Sequence, residues 1–156
     1  MHTLALIQHN PDGYDFDVFL SFAEEDSHFV ERVLYVPLTD KGYCVFWHHQ
    51  DFICGLTIND NIVRATQICR RIIFVCSENF QRSTFCQLEL KFGLHSHYKD
   101  RTRRVIPIVL QEEFCPDELR HFSQIRVNSL HVNASVDIEK LIQKIDLGKI
   151  ADDLPC

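Results

Sequence analysis

The chain has 156 residues, the usual size of one domain with one hydrophobic core and too short for two. Apolar residues make up 46% and charged residues 24%, with five glycines and five prolines, which excludes a disordered, collagen-like or linker-dominated chain. With 22 acidic against 16 basic residues the net charge is -6, so a sequence-independent nucleic-acid face has no global charge to draw on.

No run approaches the roughly 20 apolar residues of a membrane-spanning helix. The opening MHTLALIQHN lacks the basic start and long apolar stretch of a signal peptide, so a cytoplasmic chain with no membrane span is expected. Seven cysteines, at 44, 54, 69, 76, 86, 115 and 156, contain no Cys-x-x-Cys spacing. Several stand inside apolar runs, where a reduced thiol behaves as a small core residue.

Residues 1–13 form a mixed tail that ends in the turn formers Asn10-Pro11-Asp12-Gly13. YDFDVFLSF (14–22) becomes continuously apolar, as a strand covered on both faces does. Phe29, Val30, Val33, Leu34 and Leu38 then fall at helical spacing, with Gly42 placed to end the helix. YCVFW (43–47) is a second strand, and Ile58, Ile62, Ala65 and Cys69 mark a helix behind the cap Thr57 and its partner Asp60. RIIFVCS (71–77) carries the strongest strand signal and stops at Glu78-Asn79. A helix follows from the cap Ser83 through Phe85, Leu88 and Phe92 toward His95. RVIPIVL (104–110) is a fourth strand whose Pro107 lacks a ladder donor, as at an edge or bulge. IRVNSLHV (125–132) is a weaker fifth. Ile138, Leu141, Ile142 and Ile145, between Ser135 and Gly148, form the last helix before a tail over 148–156.

Strands alternating with helices predict right-handed βαβ units and a parallel sheet with helices on both faces. In such a sheet the functional crevice lies at the carboxyl ends of the strands, in the loops after Ser21, Trp47, Ser77 and Leu110. The turn after strand one, Ala23-Glu24-Glu25-Asp26, is acidic and free of glycine, which excludes a dinucleotide or P-loop phosphate cradle. A phosphate-accepting receiver domain fails too: it needs an Asp after strand three and a Lys after strand five, and this chain has Cys76-Ser77-Glu78 and His131. The three acidic residues read instead as a helix start favoured by the macrodipole. Of nine histidines, His48-His49 and His95-x-His97 are the densest pairs; residues at these spacings do not share a helix face, so no metal site is expected.

Three ordered segments carry a family resemblance. YDFDVFLSFAEEDSHFV (14–30) resembles the first box of Toll/interleukin-1 receptor (TIR) domains. HHQDFICGLTINDNI (48–62) resembles the second box, whose BB loop in the family reads Arg-Asp-x-x-Pro-Gly. RRIIFVCSENFQRSTFCQLEL (70–90) is similar to the family's strand followed by Ser-x-Trp-Cys-x-x-Glu-Leu. The resemblance spans 14–147 and is nearer to animal Toll-like receptors and the myeloid-differentiation adaptor than to plant or bacterial TIR domains. Gln50 stands for the usual Arg, Cys54 for the usual Pro and Phe85 for the usual Trp, and the third-box Phe-Trp is absent. Cys54 frees both a φ angle and a donor that proline would fix.

The resemblance implies an α/β, flavodoxin-like three-layer fold with a five-stranded parallel sheet in the order 2-1-3-4-5. It also implies a module that binds other TIR domains, homotypically and heterotypically, to assemble innate-immune signalling complexes, and that self-associates on activation. The expected contact is the BB loop, Gln50, Asp51, Phe52, Ile53, Cys54 and Gly55, with Phe52 and Ile53 as an apolar tip ringed by polar groups; the plainer alternative is that Phe52 folds back onto its own domain. Some family members instead cleave NAD⁺ at the nicotinamide-ribose bond, with NAD⁺ as substrate and no cofactor. In that alternative Glu89 stands at the catalytic carboxylate position, where it would stabilise an oxocarbenium-like state, and Phe22 and Trp47 would flank the base or nicotinamide. The structural alternative makes Glu89 a helix carboxylate bonded to a loop, and Phe22 and Trp47 core or rim residues. The acidic turn after strand one suits the NAD⁺ phosphates poorly and favours the scaffold.

Overall fold

The computed structural model describes residues 13–100, 104–127 and 136–153. Five strands, β1 (Phe16–Ser21), β2 (Val45–Phe46), β3 (Cys69–Cys76), β4 (Val105–Val109) and β5 (Ile125–Arg126), form one sheet in the order β2-β1-β3-β4-β5. Every pairing is parallel, and β1 and β3 are neighbours, with Val18 opposite Arg71 and Ser21 opposite Phe74. The expected order therefore holds. β2 and β5 are shorter than their apolar runs suggested, and residues 128–132 of the expected fifth strand lie outside the described residues.

The two faces of the sheet are separate cores. Val18, Leu20, Ile73, Val75, Ile106 and Ile108 face one way, against Val30, Leu34 and Leu38 and against Leu141 and Ile145. Phe19, Ile72, Phe74, Cys76 and Val105 face the other, against Ala65, Phe80, Cys86 and Leu90. Both faces are covered, which is why β1 and β3 lack the polar alternation of a half-exposed strand. Each such fully buried side chain contributes about 1.5–3 kcal/mol relative to exposure.

The first helical stretch starts with a 3₁₀ turn at Glu24–Asp26 and continues as α1 (Ser27–Val30), a π segment at Glu31–Tyr35 and α2 (Val36–Asp40). Pro37 explains the π segment: it has no N–H to return to the preceding turn, and the helix widens so that Val36 N–H bonds the Glu31 carbonyl five residues back. Gly42, at φ +90°, ends the stretch as expected, with its N–H on the Thr39 carbonyl. On the opposite face α4 (Ile58–Ile68) is capped by Thr57, whose Oγ1 accepts from the Asp60 N–H at 3.0 Å. A short helix α5 (Glu78–Arg82), unforeseen from sequence, is capped by Ser77. α6 (Thr84–Asp100) starts beside the predicted cap Ser83, which accepts from Cys86 N–H at 3.2 Å, and runs past His95. Gly93 lets α6 lie directly on the sheet, since a Cβ there would stand 2.7 Å from Phe74 Cζ.

Two expectations need correction. β4 is not an edge strand, because it lies between β3 and β5. Its even-numbered amides face β3, so the nitrogen of Pro107 faces β5, where pairing starts only opposite Ile108. The missing donor thus falls just before the ladder begins. The last helix, α7 (Ile138–Asp153), does not stop at Gly148, since a glycine inside a helix costs only about 1 kcal/mol. Its cap is Asp137, whose Oδ1 accepts from Lys140 N–H at 3.1 Å; Ser135 lies outside the described residues.

Candidate functional site: the loop after β2 and the carboxyl edge of the sheet

The loop after β2 opens with a single helical turn, α3 (His48–Asp51). Asp51 closes that turn by accepting from Trp47 N–H at 2.8 Å, and its carbonyl accepts from Arg64 Nη1 at 3.2 Å. Burial raises the Asp51 carboxyl above its ordinary range, against the opposing pull of the Trp47 N–H and Arg64. One turn further on, buried Asn61 of α4 holds both sides of the Ile53 backbone, accepting from its N–H at 2.8 Å and donating to its carbonyl at 3.1 Å. The same amide reaches Thr57 O at 3.2 Å. The loop therefore has a fixed base. Asn61 and Arg64 were not singled out from sequence; their only signal is a polar residue on the inward stripe of an amphipathic helix.

Beyond Ile53 the chain turns, with Leu56 N–H on the Ile53 carbonyl at 3.4 Å and Gly55 at φ +95°. Positive φ at the third residue is the requirement of a type II turn, in which the second residue is often proline. Cys54 fills that second position. The turn survives the loss of proline because Gly55 carries the demanding conformation.

The structure divides the six loop residues. Gln50, Ile53, Cys54 and Gly55 are exposed, and Asp51 is half-buried in the loop base. Phe52 is not at the tip: it turns inward, with its ring centroid 5.9 Å from both Phe46 and Phe85, and packs on the core of its own domain. The plainer alternative for Phe52 is the one observed. Apolar exposure instead falls on Ile53 at 44%, Leu56 at 43% and Ile58 at 58%. Leu56 and Ile58 lie just past the motif that defined the loop in the sequence, and their signal was simply apolar residues beside a Gly turn.

The NAD⁺-site candidates lie at the carboxyl ends of β1 and β2 and on α6, where Glu89 is tied to the end of β1. Glu89, on α6, is 1% exposed; its Oε1 accepts from Ser21 Oγ at 2.8 Å, and its Oε2 is buried with no hydrogen-bond partner. Burial pushes this carboxyl well above the usual range, only partly opposed by the Ser21 hydroxyl. Phe22 is fully buried, and its ring lies 4.7 Å from Trp47 and 5.1 Å from His48. His48 in turn lies 5.4 Å from Phe85, so a chain of ring contacts joins the ends of β1 and β2 to the start of α6. Trp47 is half-buried.

The acidic turn after β1 is shared out among neighbours. Asp26 accepts from Ser77 Oγ and from Asn79 Nδ2, tying this turn to the start of α5. Glu24 Oε2 lies 2.7 Å from His49 Nε2. His48 lies beside them, its ring 4.2 Å from that of His49, and burial followed by the nearby His49 pushes its pKa down to about 4. Adjacent histidines were not expected to share a helix face, yet here their rings are neighbours, and folding brings Glu24 to them from 25 positions away.

The thiols are mostly structural. Six cysteines lie among the described residues; Cys69, Cys76, Cys86 and Cys115 are free and buried, and Cys54 is free and exposed. Burial raises the Cys86 thiol to about 12.

A family model described as the TIR domain matches residues 18–143. Toll-like receptor 2 of Mus musculus is 34% identical over 98 residues, which cover 62% of this chain and 12% of that protein. The same receptor of Canis lupus familiaris is 36% identical over the same length. This chain thus spans about an eighth of the receptors it matches. Among solved structures, the TIR domain of the Toll-related receptor TRR-2 from Hydra magnipapillata superposes with a TM-score of 0.63 at 23% identity, covering 88% of this chain and 97% of that one. A metazoan TIR-STING receptor from C. gigas reaches 0.68 at 19% identity over 85% of this chain and 40% of its own. The TIR domains of the activated Roq1 resistosome reach 0.55 at 33% identity over 62% of this chain and 58% of theirs. Among the described residues no helix is long and apolar enough to cross a membrane. With the model spanning strands β1 to β5 and most of the three-layer fold, the chain belongs to the TIR-domain family.

Proposed function

We propose that this domain is an interaction module that assembles innate-immune signalling complexes through contacts with other TIR domains, both copies of itself and different partners, on the cytoplasmic side. The observation that carries the proposal is the apolar exposure of Ile53 and Leu56 on a loop whose base Asn61 and Arg64 hold in place, continued by Ile58 at the start of α4. An apolar patch of this kind on a preorganised loop loses little entropy on docking and supplies an interface anchor. The likeness to Toll-like receptor 2 supports the signalling context, and the Roq1 resistosome supports the idea that TIR domains act in assemblies. The net charge of -6 fits a protein partner better than a nucleic acid.

The burial of Glu89 supports the same reading over cleavage of NAD⁺. A carboxylate that stabilises an oxocarbenium-like ribose has to be in contact with it, whereas Glu89 is 1% exposed and burial opposes its charged form. The test is light scattering of the wild type against Leu56→Asp and Ile58→Asp, with nicotinamide measured in the same samples after incubation with NAD⁺. Assembly by the wild type that both folded variants lose is the expected result. Unchanged assembly would remove the loop from the interface, and nicotinamide release that Glu89→Ala abolishes would replace the module with an enzyme.

A further inference from the structure

We propose that Glu24, His48 and His49 form a binding site for a divalent transition-metal ion of the zinc type. A carboxylate oxygen of Glu24 and one ring nitrogen from each histidine all lie within 4.8 Å of one another. Tetrahedral zinc bound at about 2.0–2.1 Å holds its donors about 3.3 Å apart. The Glu24–His49 pair, at 2.7 Å, must open slightly and the widest separation must close. Both adjustments fall on the flexible members, since the side chains of Glu24 and His49 are 67% and 54% exposed.

The third donor is positioned by packing. His48 is wedged among Phe22, Phe52 and Phe85, and its Nδ1 is buried without a hydrogen-bond partner. Aromatic packing accounts for the ring of His48, and an ion pair accounts for Glu24 with His49. Neither accounts for three ligating groups converging from two chain segments. The convergence follows from the sheet: Glu24 comes just after β1 and the histidines just after β2, and the two strands are paired through Val18–Val45 and Phe19–Phe46.

The donor set selects the ion. Two imidazoles and one carboxylate without a thiolate suit zinc, cobalt, nickel or copper, while calcium and magnesium want oxygen ligands only. Glu25 and Asp26 in the same turn add negative charge that favours a cation. Three protein ligands leave at least one coordination position to water. A bound ion would staple the turn after β1 to α3, the base of the loop that carries Ile53 and Leu56. Any effect on assembly rests on the loop's role as an interface; binding itself does not.

The experiment is a zinc titration of the reduced full chain against a competing chromophoric chelator, repeated with His49→Ala, Glu24→Ala and His95→Ala. A cobalt titration adds a spectroscopic signature of the ligands. Glu24 and His49 are exposed, so these variants should keep the wild-type melting temperature without metal. Loss of a direct ligand should weaken one binding event by at least ~10-fold, the lower limit seen even for losses outside the ligand shell; His95→Ala should leave it unchanged. Cobalt should show visible ligand-field bands without the thiolate charge-transfer band that cysteine gives. Equal zinc affinity in all four proteins would overturn the site, as would a thiolate band that Cys54→Ser removes. Assembly that fails to respond to zinc while binding persists would count against the loop's role alone.

Discussion

Replacing Glu89 by glutamine separates a buried structural acid from a charged catalytic one. In the folded protein burial holds the proton on Glu89 well above the pH at which an exposed glutamate loses it. Between the ordinary value of 4.5 and the folded value, the unfolded chain has released a proton that the native state still binds. Stability then falls as pH rises, by about 1.4 kcal/mol for each pH unit in that window. Below the ordinary value both states are protonated and the Glu89 contribution is fully present; it is lost progressively as pH climbs toward the folded value. Glutamine keeps the shape and an oxygen for the Ser21 hydroxyl but does not titrate, so Glu89→Gln should lack this slope. Urea denaturation of both proteins at half-unit steps from pH 4 to pH 8 measures the difference, which should move in favour of the variant by up to about 1.4 kcal/mol per pH unit within that window and level off above it. Parallel stability curves would show that Glu89 ionises in the folded protein as it does in water, and the argument from burial would fail.

Other substitutions probe the loop and the helix that carries Glu89. Cys54→Pro should raise stability by about 0.4–1 kcal/mol, since proline suits the second position of the turn that Gly55 completes, and thermal denaturation will show it. Phe52→Ala should cost about 1–3 kcal/mol through lost ring packing, less than the ~3–5 kcal/mol of a fully buried Phe, and chemical denaturation measures this. Asn61→Ala should cost about 1–3 kcal/mol and speed hydrogen exchange at the Ile53 amide, which loses its acceptor. Gly93→Ala should destabilise by about 1 kcal/mol or more despite alanine's better helix propensity, because its Cβ would press on the buried Phe74 ring; a melting temperature above that of the wild type would refute the contact.

Much of the architecture was legible because burial on both faces leaves continuous apolar runs in β1 and β3, and because Thr57 and Ser83 announce helix starts by residue type. The short pairing of β2 and β5 was not legible, since an apolar run reports burial and not how far a neighbour's ladder extends. Pro37 showed no break in the apolar stripe, as the π segment absorbs the missing donor without turning the buried face away. At the site, the loop was visible as a motif, yet its energetics were not. Phe52 and Ile53 are adjacent apolar residues, and only the position of Phe46 and Phe85 decides which of the two turns inward. Glu89 was found by position, whereas its burial and its bond to Ser21, 68 positions away, come only with folding. The meeting of Glu24 with His48 and His49 likewise depends on the pairing of β1 with β2.

Hydrogen exchange measured at two protein concentrations, below and above the onset of assembly, tests the central claim that the loop after β2 is the contact between domains. Leu56 and Ile58 are exposed, and Cys54 and Gly55 stand on the outer side of the turn. Assembly should therefore slow exchange across residues 54–58 while leaving the amides of β3, already buried in the sheet, unchanged. Assembly with no added protection over 54–58, and with new protection confined to another face, would contradict the account.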